Sequence, residues 1–125
     1  MNTIVFRTLQ VALAVAAALL AGCSSGTTIK SDLVLAGYGS ARIDLHQKTD
    51  AIDLVNNSGV AVRIRVLGKK DRIMSNMLLS GHDQVRLDIL TARAIEFDND
   101  NGEQAMIRWT LRNHDRIEYT MALNP

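Results

Sequence analysis

The chain has 125 residues, with 14 Lys+Arg against 13 Asp+Glu, and 47% of its residues are hydrophobic. A body so close to neutral lacks the basic footprint that non-specific nucleic-acid binding requires, so that partner class is excluded. With Cys23 as the single cysteine, no disulfide can form within the chain, and the fold rests on an apolar core and hydrogen bonds.

Read from the start, Arg7 is the only charge before a run from Val11 to Leu20 made of Ala, Val and Leu. Crossing the hydrocarbon of a bilayer takes about 20 apolar residues. Here Arg7, Thr8 and Gln10 interrupt the stretch and Gly22 ends it. A basic start, an apolar segment of roughly 7–15 residues and a small-residue junction are the parts of a secretory signal. The junction, Leu20-Ala21-Gly22-Cys23, resembles the lipobox of bacterial lipoproteins, and the resemblance extends no further than the leader and its junction. It implies a signal peptide over residues 1–22, diacylglyceryl transfer to the Cys23 sulfur, cleavage after Gly22, and acylation of the freed amine, typically by palmitate. Cysteine suits that chemistry because a thiolate is a strong nucleophile near neutral pH. One acyl chain binds membranes only marginally, so stable anchoring takes more than one. Ser24, where an aspartate would favour inner-membrane retention, implies the outer membrane, with the domain facing the periplasm.

Residues 23–30 then read as a lipidated tether, polar and Gly-containing, and residues 31–125 as one compact domain, within the ordinary domain size range. In that domain the apolar period is two. Val60, Val62, Ile64 and Val66 alternate with Ala61, Arg63 and Arg65. Ile107, Trp109 and Leu111 alternate with Met106, Arg108, Thr110 and Arg112. Ile117, Tyr119, Met121 and Leu123 follow the same rule. Such alternation marks half-buried antiparallel strands. Turn signals fall between the runs at 56–59, 68–71, 80–83, 99–102 and 113–115. Strands are predicted near 33–36, 42–45, 51–55, 60–67, 73–79, 84–90, 93–97, 105–111 and 117–123. The fold class is therefore all-β, a small antiparallel β-sandwich of immunoglobulin-like shape. One segment admits an alternative, because Leu87, Leu90, Ala94 and Phe97 also have helical spacing and Asp83 is a suitable cap. A helix near 84–97 would make the domain α+β; the β-branched Val85, Ile89, Thr91 and Ile95 favour strands.

Candidate sites are few. Asp98-Asn99-Asp100-Asn101-Gly102-Glu103 clusters oxygen ligands, but registering Gly102 at the sixth position of a calcium loop puts Phe97 first and Arg108 twelfth, both unsuitable. A hairpin turn with positive φ at Asn101-Gly102 accounts for the same residues. His46, His82 and His114 share no metal-ligand spacing, although His82 and His114 would meet if their loops lay at one end of the sandwich. No metal or other cofactor is expected. Arg63, Arg65 and Arg108 are the candidate binding residues, an outward stripe for anions or a partner if their strands are neighbours; cross-strand pairing with carboxylates is the plainer reading. Ser40, Ser58, Ser75 and Ser80 lack a nucleophile elbow, and Gly37-Tyr38-Gly39-Ser40 lacks the helix of a phosphate cradle. These readings point away from an enzyme. They point to a lipid-anchored outer-membrane module that binds an envelope protein, with a periplasmic ligand- or ion-binding accessory lipoprotein as the alternative.

Overall fold

The computed structural model describes residues 26–124, and the leader, Cys23 and Pro125 lie outside them. The described residues form nine strands: β1 (Thr27–Leu35), β2 (Ser40–Leu45), β3 (Ala51–Asn56), β4 (Val62–Leu67), β5 (Ile73–Leu79), β6 (Gln84–Asp88), β7 (Ala94–Asp98), β8 (Ala105–Asn113) and β9 (Tyr119–Asn124). A short 3-10 turn, Lys69–Asp71, joins β4 to β5. Thr27 to Lys30 therefore belong to a strand, which shortens the tether read from sequence.

The connectivity is a nested hairpin. β4 pairs with β5 at its tip, then β3 with β6, β2 with β7 and β1 with β8, all antiparallel. Folding this hairpin across itself adds the pairs β3·β8 and β4·β7, and β9 joins the edge at β2. Two sheets result, β9-β2-β7-β4-β5 and β1-β8-β3-β6. The expected β-sandwich is present, and its strand order is that of a jelly roll, not of an immunoglobulin domain.

Alternation places the core between the sheets. Val62, Ile64 and Val66 face inward while Arg63 and Arg65 face out, and Ile107, Trp109 and Leu111 are buried beside outward Arg108. Trp109 is 1% exposed and meets the Tyr119 ring edge-on at 5.4 Å. Its indole N–H has no hydrogen-bond partner among the described residues.

Residues 84–98 contain no helix. Leu87 sits half-buried in β6, Leu90 is exposed in the turn, and Ala94 and Phe97 lie in β7 of the opposite sheet. The helical spacing was the sum of two strand phases across a turn. That turn is closed by Ala92 N–H donating to Ile89 O at 3.0 Å, with both residues buried.

Two buried asparagines fasten the loops at the end away from Thr27. Asn56 Nδ2 donates to Val60 O (2.8 Å) and Leu79 O (3.1 Å), and its Oδ1 accepts from Ser58 N–H (3.0 Å). Asn99 Nδ2 donates to Ala36 O (3.0 Å) and Glu103 O (2.7 Å), and its Oδ1 accepts from Asn101 N–H (3.0 Å). Neither Asn101 nor Gly102 has positive φ, contrary to the expected turn. Glycine is needed instead at Gly37, where a Cβ would come within 2.2 Å of Gly102 O.

Candidate functional site

Trp109, Phe97, Ile43, Ile52, Ile64 and Ile107 pack the interior between the two sheets with apolar side chains. Chemistry must therefore be sought on the two outer faces and at the two loop ends.

The predicted arginine stripe is not a single surface. Arg63 and Arg65 stand on β4 in the five-stranded sheet, whereas Arg108 stands on β8 in the other, so they lie on opposite faces of the sandwich. Each is also paired. Arg63 Nε lies 3.7 Å from Asp100, and its Nη1 donates to Asn76 Oδ1 at 3.3 Å. Arg65 pairs with Glu96 at 3.3 Å and with Asp98. Arg108 donates to Asp32 at 2.9 Å, which raises its pKa. Arg42 completes the five-stranded face by pairing with Asp44 (2.9 Å), Asp71 (2.9 Å) and Glu96 (3.2 Å). A concavity of about 230 Å³ on that face is lined by Arg42 and Arg65, but also by Glu96 and Asp98, so its charges are already satisfied.

On the four-stranded face, Asp53 accepts from Arg86 (2.6 Å) and Arg112 (2.5 Å) across neighbouring strands. The Arg86 hydrogen bond, with Arg112 adding to it against partial desolvation, holds the Asp53 carboxyl at about 2. A carboxyl whose pKa falls on folding stabilises the fold above its unfolded value, near 3.9, and that contribution is lost as pH drops through the folded value. Solvent screening limits it to about 1 kcal/mol. Asp53→Asn is expected to lower stability by that amount at pH 7 and to flatten its decline between about pH 4 and 2, read by urea denaturation across that range.

The histidines do not converge. His82 lies in the β5–β6 turn with φ 61°, at the end opposite Thr27. His46 and His114 lie at the Thr27 end, engaged with Thr120 Oγ1 (3.1 Å) and Asp50 (3.1 Å). Among the described residues no group of three or more His, Cys, Asp and Glu side chains is placed to hold a metal.

Sequence reasoning missed a cleft of about 410 Å³ at the Thr27 end, between the β2–β3, β4–β5 and β6–β7 loops. Leu45, His46, Gln47, Lys48, Lys69, Leu90, Thr91, Ala92 and Arg93 line it. Its three cations come from three loops far apart in sequence, so no local pattern announced them.

No family model matches the sequence, and no curated protein is significantly similar to it. Among solved structures, the fold is similar to PirA (TM-score 0.55, 10% identity, covering 66% of this chain and 92% of that one). It is also similar to the Cupin_2 domain of an XRE family transcriptional regulator from Enterobacter cloacae (TM-score 0.53, 10% identity, 74% and 100%). Peruvianin-I, a cysteine peptidase from Thevetia peruviana latex, is a third (TM-score 0.52, 11% identity, 81% and 58%). At such identities the likeness concerns fold alone. It agrees with the jelly-roll strand order.

Proposed function

We propose that the chain is an outer-membrane lipoprotein whose β-sandwich is a non-catalytic module, tethered in the periplasm and pairing with an extended strand of an envelope protein. The observation that carries the module reading is the β5 edge. β5 ends the five-stranded sheet, so among the described residues one side of its backbone has no neighbouring strand. Its sequence, Ile-Met-Ser-Asn-Met-Leu-Leu, has no charge and no proline, and Ile73 (55%), Met74 and Leu78 (53%) are exposed. Edges are normally blunted by charge, proline or irregularity. The edges of the other sheet follow that rule, with Lys30 and Asp32 on β1 and Arg86 and Asp88 on β6. At β5 the one such device is a register shift opposite Leu67. An open edge with apolar side chains suits strand addition, where main-chain bonds give affinity and alternate side chains give selectivity. Tethering adds effective concentration to a weak contact. The leader with its Leu20-Ala21-Gly22-Cys23 junction supports the anchor.

Photoreactive residues at positions 74 and 78 in cells test the reading. They are expected to give a discrete adduct with an envelope protein, which a probe at position 108 on the opposite sheet does not give. Ile73→Lys with Leu78→Lys is expected to abolish the adduct while changing stability by less than about 1 kcal/mol, since both side chains are exposed. Equal adducts from positions 74 and 108, or an adduct with a second copy of this chain alone, would count against a strand-donating partner.

A further inference from the structure

We propose that the cleft at the Thr27 end is an anion site that takes a phosphate group, with a small apolar neighbour to that group resting on its floor. Three observations carry this.

The first is charge within the cleft. Lys48, Lys69 and Arg93 line it, and no carboxylate does. Seven arginines outside the cleft are neutralised: Arg42, Arg63, Arg65, Arg86, Arg108, Arg112 and Arg116 each have an acidic partner, and Arg72 is the exception among the described residues. Among the described residues, Lys48, Lys69 and Arg93 have none. The acids nearest in sequence pair with other groups, Asp71 with Arg42, Asp50 with His114, and Glu96 with Arg42 and Arg65. Three like charges gathered without counter-charge repel one another, and a bound dianion would relieve that repulsion.

The second is rigidity. Arg93 is held by its N–H on Leu67 O (2.7 Å) and its C=O on Leu45 N–H (2.9 Å), and Lys69 by its C=O on Arg72 N–H (3.1 Å). His46 N–H donates to Glu118 O at 2.9 Å. The Lys69 turn contains Lys70 and Asp71, both at positive φ, a conformation that non-glycine residues rarely adopt and that often marks a functional loop. Main-chain bonds thus hold the backbone of the three cation-bearing loops, so the ordering cost of binding falls on the side chains. Buried Leu45 and Ala92 form an apolar floor beside exposed Leu90.

The third is placement. The loops at the Thr27 end (46–50, 68–72, 89–93 and 114–118) carry Lys48, Lys69, Lys70, Arg72, Arg93 and Arg116 against Asp50, Asp71, Asp115 and Glu118, so cations outnumber carboxylates there. The loops at the other end (36–39, 57–61, 80–83 and 99–104) carry Asp83, Asp100 and Glu103 and no cation. On the lipoprotein reading, residues 24–26 are all that separates the acylated Cys23 from β1, a reach of at most roughly 14 Å. The cationic end would then lie against lipid headgroups, whose phosphates are one source of the ligand; small soluble phosphate compounds are the other.

The test is an amide NMR titration of the full chain in neutral detergent micelles. Pyrophosphate is added in one arm, and phosphatidylglycerol is mixed into the micelles in the other. At least one probe is expected to give saturable shifts confined to residues 45–48, 69 and 90–93. A response to pyrophosphate names a soluble phosphate compound, and a response to the lipid alone names a headgroup. Lys48→Gln, Lys69→Gln and Arg93→Gln together are expected to weaken binding by about tenfold or more, with the other amides unmoved. If that triple variant does not fold, Lys48→Gln and Lys69→Gln singly serve instead, since both side chains are exposed. No saturable response to either probe, or equal affinity in the variants, overturns the site. The pyrophosphate arm also runs on unacylated chain, so failure of the anchor reading leaves it intact.

Discussion

Trp109→Ala is expected to remove a large share of the stability of the domain. The indole is 1% exposed on β8, which pairs with both β1 and β3. Replacing a core tryptophan by alanine typically costs about 3–5 kcal/mol, against a total of about 5–15 kcal/mol for a domain. Two features bound the figure. The edge-on contact with Tyr119 is lost as well, which adds about 0.5–1.5 kcal/mol. Against this, the unpartnered indole N–H is removed, relieving a desolvation cost of about 1–3 kcal/mol. Trp109→Phe separates the two, because it keeps a ring in the core and deletes the unpartnered donor. It is expected to lose clearly less than the alanine variant. Urea denaturation followed by far-ultraviolet circular dichroism gives both values. An alanine variant within about 1 kcal/mol of the parent would mean that the neighbours collapse into the cavity and that the core does not depend on this ring.

Local pattern carried the strands, and tertiary pairing decided what the pattern could not. Alternation at Val62, Ile64 and Val66 and at Ile107, Trp109 and Leu111 named the buried face of β4 and β8 correctly, because a half-buried strand writes its two faces into alternate residues. The same alternation is silent about which strand neighbours which. Arg63 and Arg108 looked like one stripe only while β4 and β8 were free to be adjacent; the nested pairing puts them in different sheets. His82 and His114 separate for the same reason, since successive loops of an antiparallel hairpin alternate between its ends. The roles of Asn56 and Asn99 were invisible because an asparagine that latches a carbonyl across a loop has the same local sequence as one that merely turns the chain. Lys48, Lys69 and Arg93 meet only after the sheets close, and each alone reads as a solvated loop cation. Thr27 to Lys30 read as tether because their polar residues suit an exposed edge strand as well as a linker.

Cys23→Ala is expected to leave the whole pool of protein as an unacylated precursor that keeps residues 1–22. The effect is all-or-none because no second cysteine exists to accept the lipid, and neither serine nor alanine supplies a comparable nucleophile near neutral pH. Palmitate labelling is expected to vanish, and the chain to migrate more slowly by the mass of the leader. A second variant, Ser24→Asp, tests the destination separately from the chemistry. Acylation and cleavage are expected to persist there, while the protein shifts from the outer to the inner membrane fraction. The proposed anchor would have a mechanical consequence. β1 starts at Thr27, so the linker from Cys23 is short, and the loops bearing Lys48, Lys69 and Arg93 lie at the same end of the sandwich. Both edges of the five-stranded sheet run from that end to the other, so on the proposed anchor β5 would stay accessible to a partner along its length while the cationic loops faced the bilayer. Label retained in Cys23→Ala, or a mature N-terminus at any residue other than 23, would show that the leader is processed by another route and that the domain is not held this close to lipid.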